Sequence, residues 1–305
     1  MGHAHDQSTA GAASVTRLGW ALGISVVILI VQLWGSVLTG SLALLGDTAH
    51  IAVDSSGLVI AFITAMLIKR PASSLHSWGL QRLDVVAAFV QASILIVVGT
   101  FLIIGAFTRL AAPSPIQGTL LLVFGLVGLV GNLIALMILV GDTSKSMNVR
   151  AAILDMFADS LGSFAVVVAA VIEMVWGWSY ADAIAALFIG ILIIPRAIKL
   201  FRETLGILLE ATPRELDSQD IIEHFLRKEF VVGVHDLHVT QLSSHLPVLT
   251  AHIVVRDEEL LSGNSQQALI ELQQCAMEHF PLSIEHSTFQ LESEDASCAL
   301  HNAHS

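Results

Sequence analysis

The sequence has 305 residues, of which 54% are apolar and only 13% are charged. Soluble globular domains usually carry charges on about a quarter of their residues, so this composition excludes an ordinary soluble protein and indicates a membrane protein. The net charge of −12 argues against nucleic acid as a partner, because binding to phosphates requires lysines and arginines. The two cysteines, Cys275 and Cys298, are too few for a disulfide framework, and we expect two unpaired thiols.

The charge is distributed unevenly along the chain. Residues 1–202 contain nine acidic and ten basic residues, whereas residues 203–305 contain seventeen acidic and four basic residues. The break near residue 203 predicts a neutral membrane domain followed by an acidic soluble domain. The predicted regions are a flexible N-terminal tail with histidines (1–16), a transmembrane domain (17–202), the soluble domain (203–293) and a disordered C-terminal tail (294–305).

Six apolar stretches in the first region are each long enough to cross a hydrocarbon core as a helix, which takes about 20 residues. Prolines and glycines fall between several of them and favour breaks there. The sequence therefore predicts an all-α membrane bundle of six transmembrane helices. The predicted spans are Leu18–Leu38, Leu42–Ile68, Val85–Phe107, Ile116–Val140, Arg150–Trp176 and Ala181–Leu200.

The basic residues of this region predict its orientation. Nine of the ten lie at the ends of spans on one side of the bundle, and only Arg109 lies on the other side. Lysines and arginines concentrate on the cytoplasmic side of a membrane, so we expect both termini and the acidic domain in the cytoplasm. Short loops between spans and the absence of long histidine tracts favour a prokaryotic inner membrane.

The acidic region changes to the patterns of a small α+β domain. Two segments of alternating polarity, joined by a tight turn, predict a β-hairpin, and helical segments stand before and after it. The order α-β-β-α-β predicts a small sheet covered by helices. The predicted elements are a helix at Pro213–Phe230, strands at Val234–Leu242 and Pro247–Arg256, a helix at Asn264–Phe280 and a strand at Ser283–Glu292.

Ionisable residues stand inside two of the predicted spans, where each costs several kcal/mol and usually marks a functional site. His50 and Asp54 in the second span, and Asp155 and Asp159 in the fifth, are each spaced i, i+4 and so share a helix face. One imidazole and three carboxylates form a four-ligand set for a divalent metal ion, and zinc suits mixed nitrogen and oxygen ligands. Asp47, one turn before His50, is a candidate for supporting a ligand or for the access path of the ion.

Two of these segments carry a family resemblance. Ser41–Asp54 (SLALLGDTAHIAVD) resembles the second span of the cation diffusion facilitator family, and Asn148–Ser163 (NVRAAILDMFADSLGS) resembles its fifth. Gly233–His238 and Ile284–Glu292 resemble its cytoplasmic domain. The similarity covers residues 15–293 and is to the zinc transporters of the family. It implies a homodimeric, proton-coupled metal exporter with six spans and a ferredoxin-like C-terminal domain that joins the protomers.

The resemblance also assigns residues outside the spans. His235, His252 and His286 fall on three predicted strands, at positions where relatives hold metal within or between subunits. Arg82 and Glu210 match a charge pair that ties the two domains together in relatives. We therefore expect a second, regulatory metal site in the soluble domain and an ion pair between the domains.

The fifth span departs from the zinc members, which usually have histidine where this chain has Asp155. The change gives the site three carboxylates instead of two, and oxygen-rich sites tolerate manganese, iron and cobalt better. A second departure concerns the loop after the second span, where relatives bind metal with several ligands and this chain has only His76, so we expect no metal there. Zinc stays the first candidate, with manganese, iron or cobalt as the alternative cargo.

The predicted function is export of divalent metal from the cytoplasm in exchange for protons, by alternating access of the intramembrane site. Protons compete with the metal for His50 and the neighbouring carboxylates. A membrane metalloenzyme would need an HExxH-type arrangement, which the sequence lacks, so we expect no enzyme. A non-transporting metal sensor that uses the acidic domain is the alternative from another class.

Overall fold

Long helices form the apolar part of the described chain, because a backbone in lipid must satisfy its hydrogen bonds within its own segment. The computed structural model describes residues 23–68, 73–140, 147–243, 246–261 and 263–294. Within them the chain divides into two units, one inside Met1–Ile63 and Ala88–Phe201, the other inside Thr64–Ala87 and Arg202–Ser305. The helices of the apolar part are α1 (Gly23–Thr39), α2 (Leu42–Ile68), α3 (Leu83–Ala111), α4 (Gly118–Val140), α5 (Met147–Trp176) and α6 (Tyr180–Leu208).

Among the described residues, four helices are long and apolar enough to cross a membrane, judged by length and composition. They are α3 and α6 in full, Gly118–Ile138 of α4 and Met156–Trp176 of α5. The described part of α1 is a shorter apolar helix, and the predicted start of the first span lies outside the described residues. The sixth helix continues to Leu208, well beyond the predicted Leu200, and contains Pro195, so neither that proline nor the charges after it end the helix.

The surface of the helical unit is apolar, and its interior contains many small and polar residues beside leucines such as Leu44 and Leu102. Large side chains such as Trp34, Phe101 and Phe157 are more than half exposed, whereas many alanines are fully buried. Gly35 shows how close the helices approach, because a Cβ atom there would lie 2.3 Å from the ring of Phe124. This inverted arrangement is typical of membrane helices, which associate through small residues and turn their large apolar side chains to lipid.

A buried carboxylate on α6 caps the start of α2. Asp182 is 1% exposed and accepts hydrogen bonds from the backbone amides of Leu42 (2.8 Å) and Ala43 (3.2 Å), and from the hydroxyl of Ser41. The first amides of a helix lack partners within the helix and attract negative charge. The carboxylate therefore fixes the start of the helix that carries His50 and Asp54.

Arg109, near the end of α3, completes this contact. Its guanidinium lies 2.9 Å from the Asp182 carboxylate through Nη1 and donates through Nη2 to the carbonyl of Gly40 at 2.6 Å. Gly40 has a φ of +65°, which glycine adopts without strain. The ion pair joins the end of α3 and the start of α6 to the turn before α2.

The second unit contains a three-stranded sheet. Its strand order is β1-β2-β3, with β1 and β2 antiparallel and β2 and β3 parallel. Helix α7 packs on β1 and α9 on β3, around a core that includes Phe225, Leu249 and Leu272. The elements are α7 (Ser218–Leu226), β1 (Val231–Ser243), β2 (Leu246–Val255), α8 (Asp257–Leu261), α9 (Ser265–Glu278) and β3 (His286–Glu292).

These elements follow the predicted order α-β-β-α-β, except that one further helix stands between the second strand and the second predicted helix. Several elements also begin or end at other residues than predicted. Helix α7 begins at Ser218 rather than Pro213, because Asp217 is its N-cap and accepts from the amide of Gln219 at 2.8 Å. The short helix α8 was not predicted. Ser244 and His245 of the predicted turn lie outside the described residues.

We expect Asp182→Ala to destabilise the protein by about 3–5 kcal/mol, because it leaves two helix amides and Arg109 without their acceptor. Arg109→Gln is the matched control. It leaves the amides and the hydroxyl of Ser41 on Asp182, so its cost should be about half as large. Thermal unfolding of the two purified variants in detergent measures the difference. Equal losses of melting temperature in both variants would contradict the capping role of Asp182.

Candidate metal centres

The helix pair α2 and α5 brings three of the four predicted ligands together. His50 Nε2 lies 3.0 Å from Asp159 Oδ1 and 3.5 Å from Asp54 Oδ2. His50 and Asp159 are buried, and the side chain of Asp54 is 23% exposed. Each of the three residues offers a ligand atom within 4.8 Å of the others. The arrangement could hold a divalent ion with one nitrogen and two oxygens.

The fourth predicted ligand, Asp155, stands on α5 one turn before Asp159. Residues spaced i, i+4 share a helix face, so the backbone puts Asp155 on the side of α5 that carries Asp159. Its side chain lies outside the part of the structure that is described. Its role as a ligand stays a prediction.

Asp47 does not contact His50 through a hydrogen bond but joins three helices. Its Oδ2 atom accepts from Gln32 Nε2 at 2.9 Å and from Ser163 Oγ at 2.8 Å. The hydroxyl of Ser163 in turn accepts a hydrogen bond from the side-chain amide (Nδ2) of Asn132 at 3.1 Å. The backbone of α5 comes close enough that a Cβ atom on Gly162 would lie 3.0 Å from Asp47 Oδ1. Asp47 thus sets the spacing of α2 and α5 beside the ligands.

Two further polar residues face Asp54, and the sequence did not identify either of them as part of the site. Arg196 of α6 lies 3.9 Å from Asp54 Oδ2, and the Gln91 amide of α3 donates to Asp54 Oδ1 at 3.5 Å. Arg196 was counted only as a basic residue that sets orientation. Gln91 is a polar residue inside an apolar helix, and that signal could have identified it. Together they supply positive charge and a donor beside a carboxylate in apolar surroundings.

A second group of ligand atoms lies on the sheet. His235 and His252 are paired across β1 and β2, and their rings are 5.1 Å apart. His235 Nε2 lies 2.9 Å from Glu292 Oε2, and His252 Nδ1 lies 2.8 Å from Glu292 Oε1, without the alignment of a hydrogen bond. A β-bulge after His235, with Asp236 at a φ of +49°, turns the strand beside this group.

The Glu292 carboxyl of this group is nearly buried yet charged. Burial by itself raises its pKa, but hydrogen bonds from His235 and Gln290 and the nearby imidazoles hold the pKa below its usual range. A charged carboxylate between two imidazoles is a suitable three-ligand set for zinc or a similar ion.

His286 does not join this group, contrary to the prediction from three strands. His286, at the start of β3, is paired with Val248. His252 is paired with Gln290, four positions further along β3. That separation is about 13 Å at the rise of a strand. Its ring instead packs edge-on against Trp78 at 4.6 Å. Within one chain Glu292 takes the place that the sequence gave to His286.

The predicted pair of Arg82 and Glu210 is formed, with Nη2 and Oε1 at 2.6 Å. Both residues belong to the second unit, so the pair does not join the two units as the sequence predicted, and their side chains are about half exposed. An exposed ion pair of this kind contributes little stability by itself. Glu210 has a φ of +59°, a conformation that costs a residue with a side chain about 1–2 kcal/mol. The pair links the start of α3 to the turn after α6.

Comparisons with known proteins identify the family of this chain. Residues 20–209 match the family model described as the cation efflux transmembrane domain. The chain is 34% identical over 303 residues to the metal cation efflux system protein CzcD of Cupriavidus metallidurans. The alignment covers 98% of this chain and 93% of that protein.

Two other relatives are each 31% identical and cover 96% of this chain and 93% of their own length. They are the cadmium, cobalt and zinc/H(+)-K(+) antiporter of Bacillus subtilis and the zinc transporter ZitB of Escherichia coli. The family resemblance of the sequence motifs is thereby confirmed. The chain is a multi-pass membrane protein of the cation efflux family.

Proposed function

We propose that this protein exports divalent metal ions, zinc first among them, in exchange for protons. The observation that carries the proposal is the position of the buried His50 imidazole, whose Nε2 atom lies within 3.5 Å of carboxylates from two helices. The names of the relatives, which include zinc, cadmium and cobalt, support a divalent cargo. The transport site consists of His50, Asp54, Asp155 and Asp159.

The exchange follows from a competition for the same atoms. His50 Nε2 and Asp159 Oδ1 lie 3.0 Å apart, so a proton shared between them would join α2 to α5. A metal ion needs the free nitrogen lone pair and ionised carboxylates, so its binding releases protons. Protons arriving from the other side of the membrane displace the metal from these atoms. Alternate exposure of the site to the two sides then gives antiport.

The architecture that we propose around this site has six spans, with α1 and α2 crossing the membrane as well. Both termini lie in the cytoplasm, and the membrane is a prokaryotic inner membrane. The second unit, with its αββαβ order, is a ferredoxin-like domain that joins two protomers. The basic residues concentrated on one side of the bundle support this orientation.

We also infer that His235, His252 and Glu292 form a regulatory metal site. Two histidines and a carboxylate whose ligand atoms lie within 4.8 Å of one another support it. A site of this kind on the soluble domain would respond to cytoplasmic metal without being part of the transport path.

Asp159→Asn should reduce zinc uptake into reconstituted liposomes about 100-fold or more, because it removes an ionised ligand and the partner of His50. Glu173→Gln is the matched control, since it removes a carboxylate from the same helix about 21 Å away. Uptake is measured with a zinc-sensitive dye under an imposed pH gradient. Uptake that requires Asp159 but ignores the gradient would contradict proton exchange, and undiminished uptake in Asp159→Asn would contradict the site.

Asp155→His should shift selectivity towards zinc over manganese by about tenfold, because imidazole favours zinc and carboxylate tolerates manganese. The same liposome assay, run with zinc, cadmium, manganese, cobalt and iron, gives the ratio. Asp155→Asn separates the effect of the imidazole from the loss of a charge. A zinc-to-manganese ratio that is the same in both variants would exclude Asp155 as the selectivity residue.

Glu292→Gln should weaken the binding of zinc to the soluble-domain site tenfold or more, measured by calorimetry in an Asp159→Asn background. His286→Ala serves as the control, since His286 lies about 13 Å along the sheet from His252. We expect its binding isotherm to match that of the background. If His286→Ala weakens binding and Glu292→Gln does not, the three-histidine set predicted from the sequence is the correct one.

A further inference from the structure

A third group of metal-ligating side chains lies on the helices of the second unit. His224 is in the last turn of α7, and Cys275 and His279 stand one turn apart at the end of α9. Each offers a ligand atom, and the three atoms lie within 4.8 Å of one another. None of these residues belongs to the transport site or to the group on the sheet.

Helix-end geometry holds the three residues in place. The amide of Arg227 donates to the carbonyl of His224 at the end of α7, and the amide of His279 donates to the carbonyl of Cys275 at the end of α9. The rings of His224 and His279 are 5.2 Å apart, and the ring of Phe280 lies 5.3 Å from His224. The two helix ends are thus packed side by side with their ligand atoms facing one another.

The three residues differ in their exposure to solvent. His279 is exposed, His224 is half-buried, and Cys275 is 1% exposed within the core of the unit. A metal ion could therefore reach the group from solvent and still meet a thiol held rigidly by the core. Water would have access to a fourth position.

A transition metal ion binds a neutral imidazole and a thiolate, so its binding to this group would displace the thiol proton of Cys275.

We propose that His224, Cys275 and His279 form a binding site for a zinc-like transition metal ion, with water as the fourth ligand. Two imidazoles and one thiolate are a softer set than either of the other groups and suit zinc, cobalt and cadmium. Tetrahedral coordination places such ligand atoms about 3.5 Å apart, so binding requires each pair to close by no more than about 1.3 Å. The bound ion would fasten the end of α7 to the end of α9.

Cobalt titration of the full-length protein in detergent tests this proposal, because a thiolate ligand gives a charge-transfer absorption that nitrogen and oxygen ligands do not. The chain has two cysteines, so the absorption can come only from Cys275 or Cys298. We expect it in the unaltered protein and in Cys298→Ser, and we expect Cys275→Ser to abolish it. No absorption in the unaltered protein, or absorption that survives Cys275→Ser, would overturn the proposal.

The histidines are tested separately, since replacing a buried cysteine can disturb folding. His279 is exposed, and His279→Gln should weaken cobalt binding about tenfold without lowering the melting temperature of the metal-free protein. His224→Gln should weaken it to a similar extent. Unchanged cobalt affinity in both variants would refute the site. The transport variant Asp159→Asn should keep the absorption, so failure of this site and failure of the transport proposal are distinguishable.

Discussion

Every carboxylate buried in the helical unit must be partnered, because a charge in apolar surroundings costs several kcal/mol unless it is compensated. Asp182 meets two helix amides and Arg109. Asp47 accepts hydrogen bonds from a side-chain amide and a hydroxyl, and Asp159 lies within hydrogen-bond distance of the His50 imidazole. These contacts join different helices, so the same requirement that neutralises the charges also decides which helices are neighbours. The positions of the proposed metal ligands follow from it.

The three carboxylates differ in what neutralises them, and the difference separates structure from transport. The donors to Asp182 do not lose their protons, since they include backbone amides and a permanently charged guanidinium. Asp159 is held by a histidine, whose proton can be exchanged for a metal ion. Asp47 accepts two neutral donors and links α1, α2 and α5. A bundle with fixed contacts at one end and an exchangeable contact further along α2 can release its cargo without losing its fold.

Local patterns were enough to predict the helices and the i, i+4 ligand pairs, because both depend on residues near in sequence. The pairing of His50 with Asp159 followed from placing both on apolar spans. Arg196 and Gln91 were missed because their proximity to Asp54 depends on how α3 and α6 pack. His286 was predicted to join His235 and His252 because all three lie on strands, but register decides which positions meet, and periodicity does not reveal register. The group at His224 was missed because it forms where two helices far apart in sequence pack together.

The three groups of ligand atoms differ in chemical softness, and this has consequences for the metal binding that we propose. The intramembrane site is rich in carboxylates, the group on the sheet has two imidazoles and one carboxylate, and the helix-end group has two imidazoles and a thiol. Carboxylate-rich sites hold zinc-like ions less firmly than sites of thiolate and imidazole, which are softer ligands. If all three groups bind metal as we propose, the second unit can hold metal at concentrations that leave the group at His50 empty. Occupancy of the soft sites would then report that metal is present before the hard site carries it.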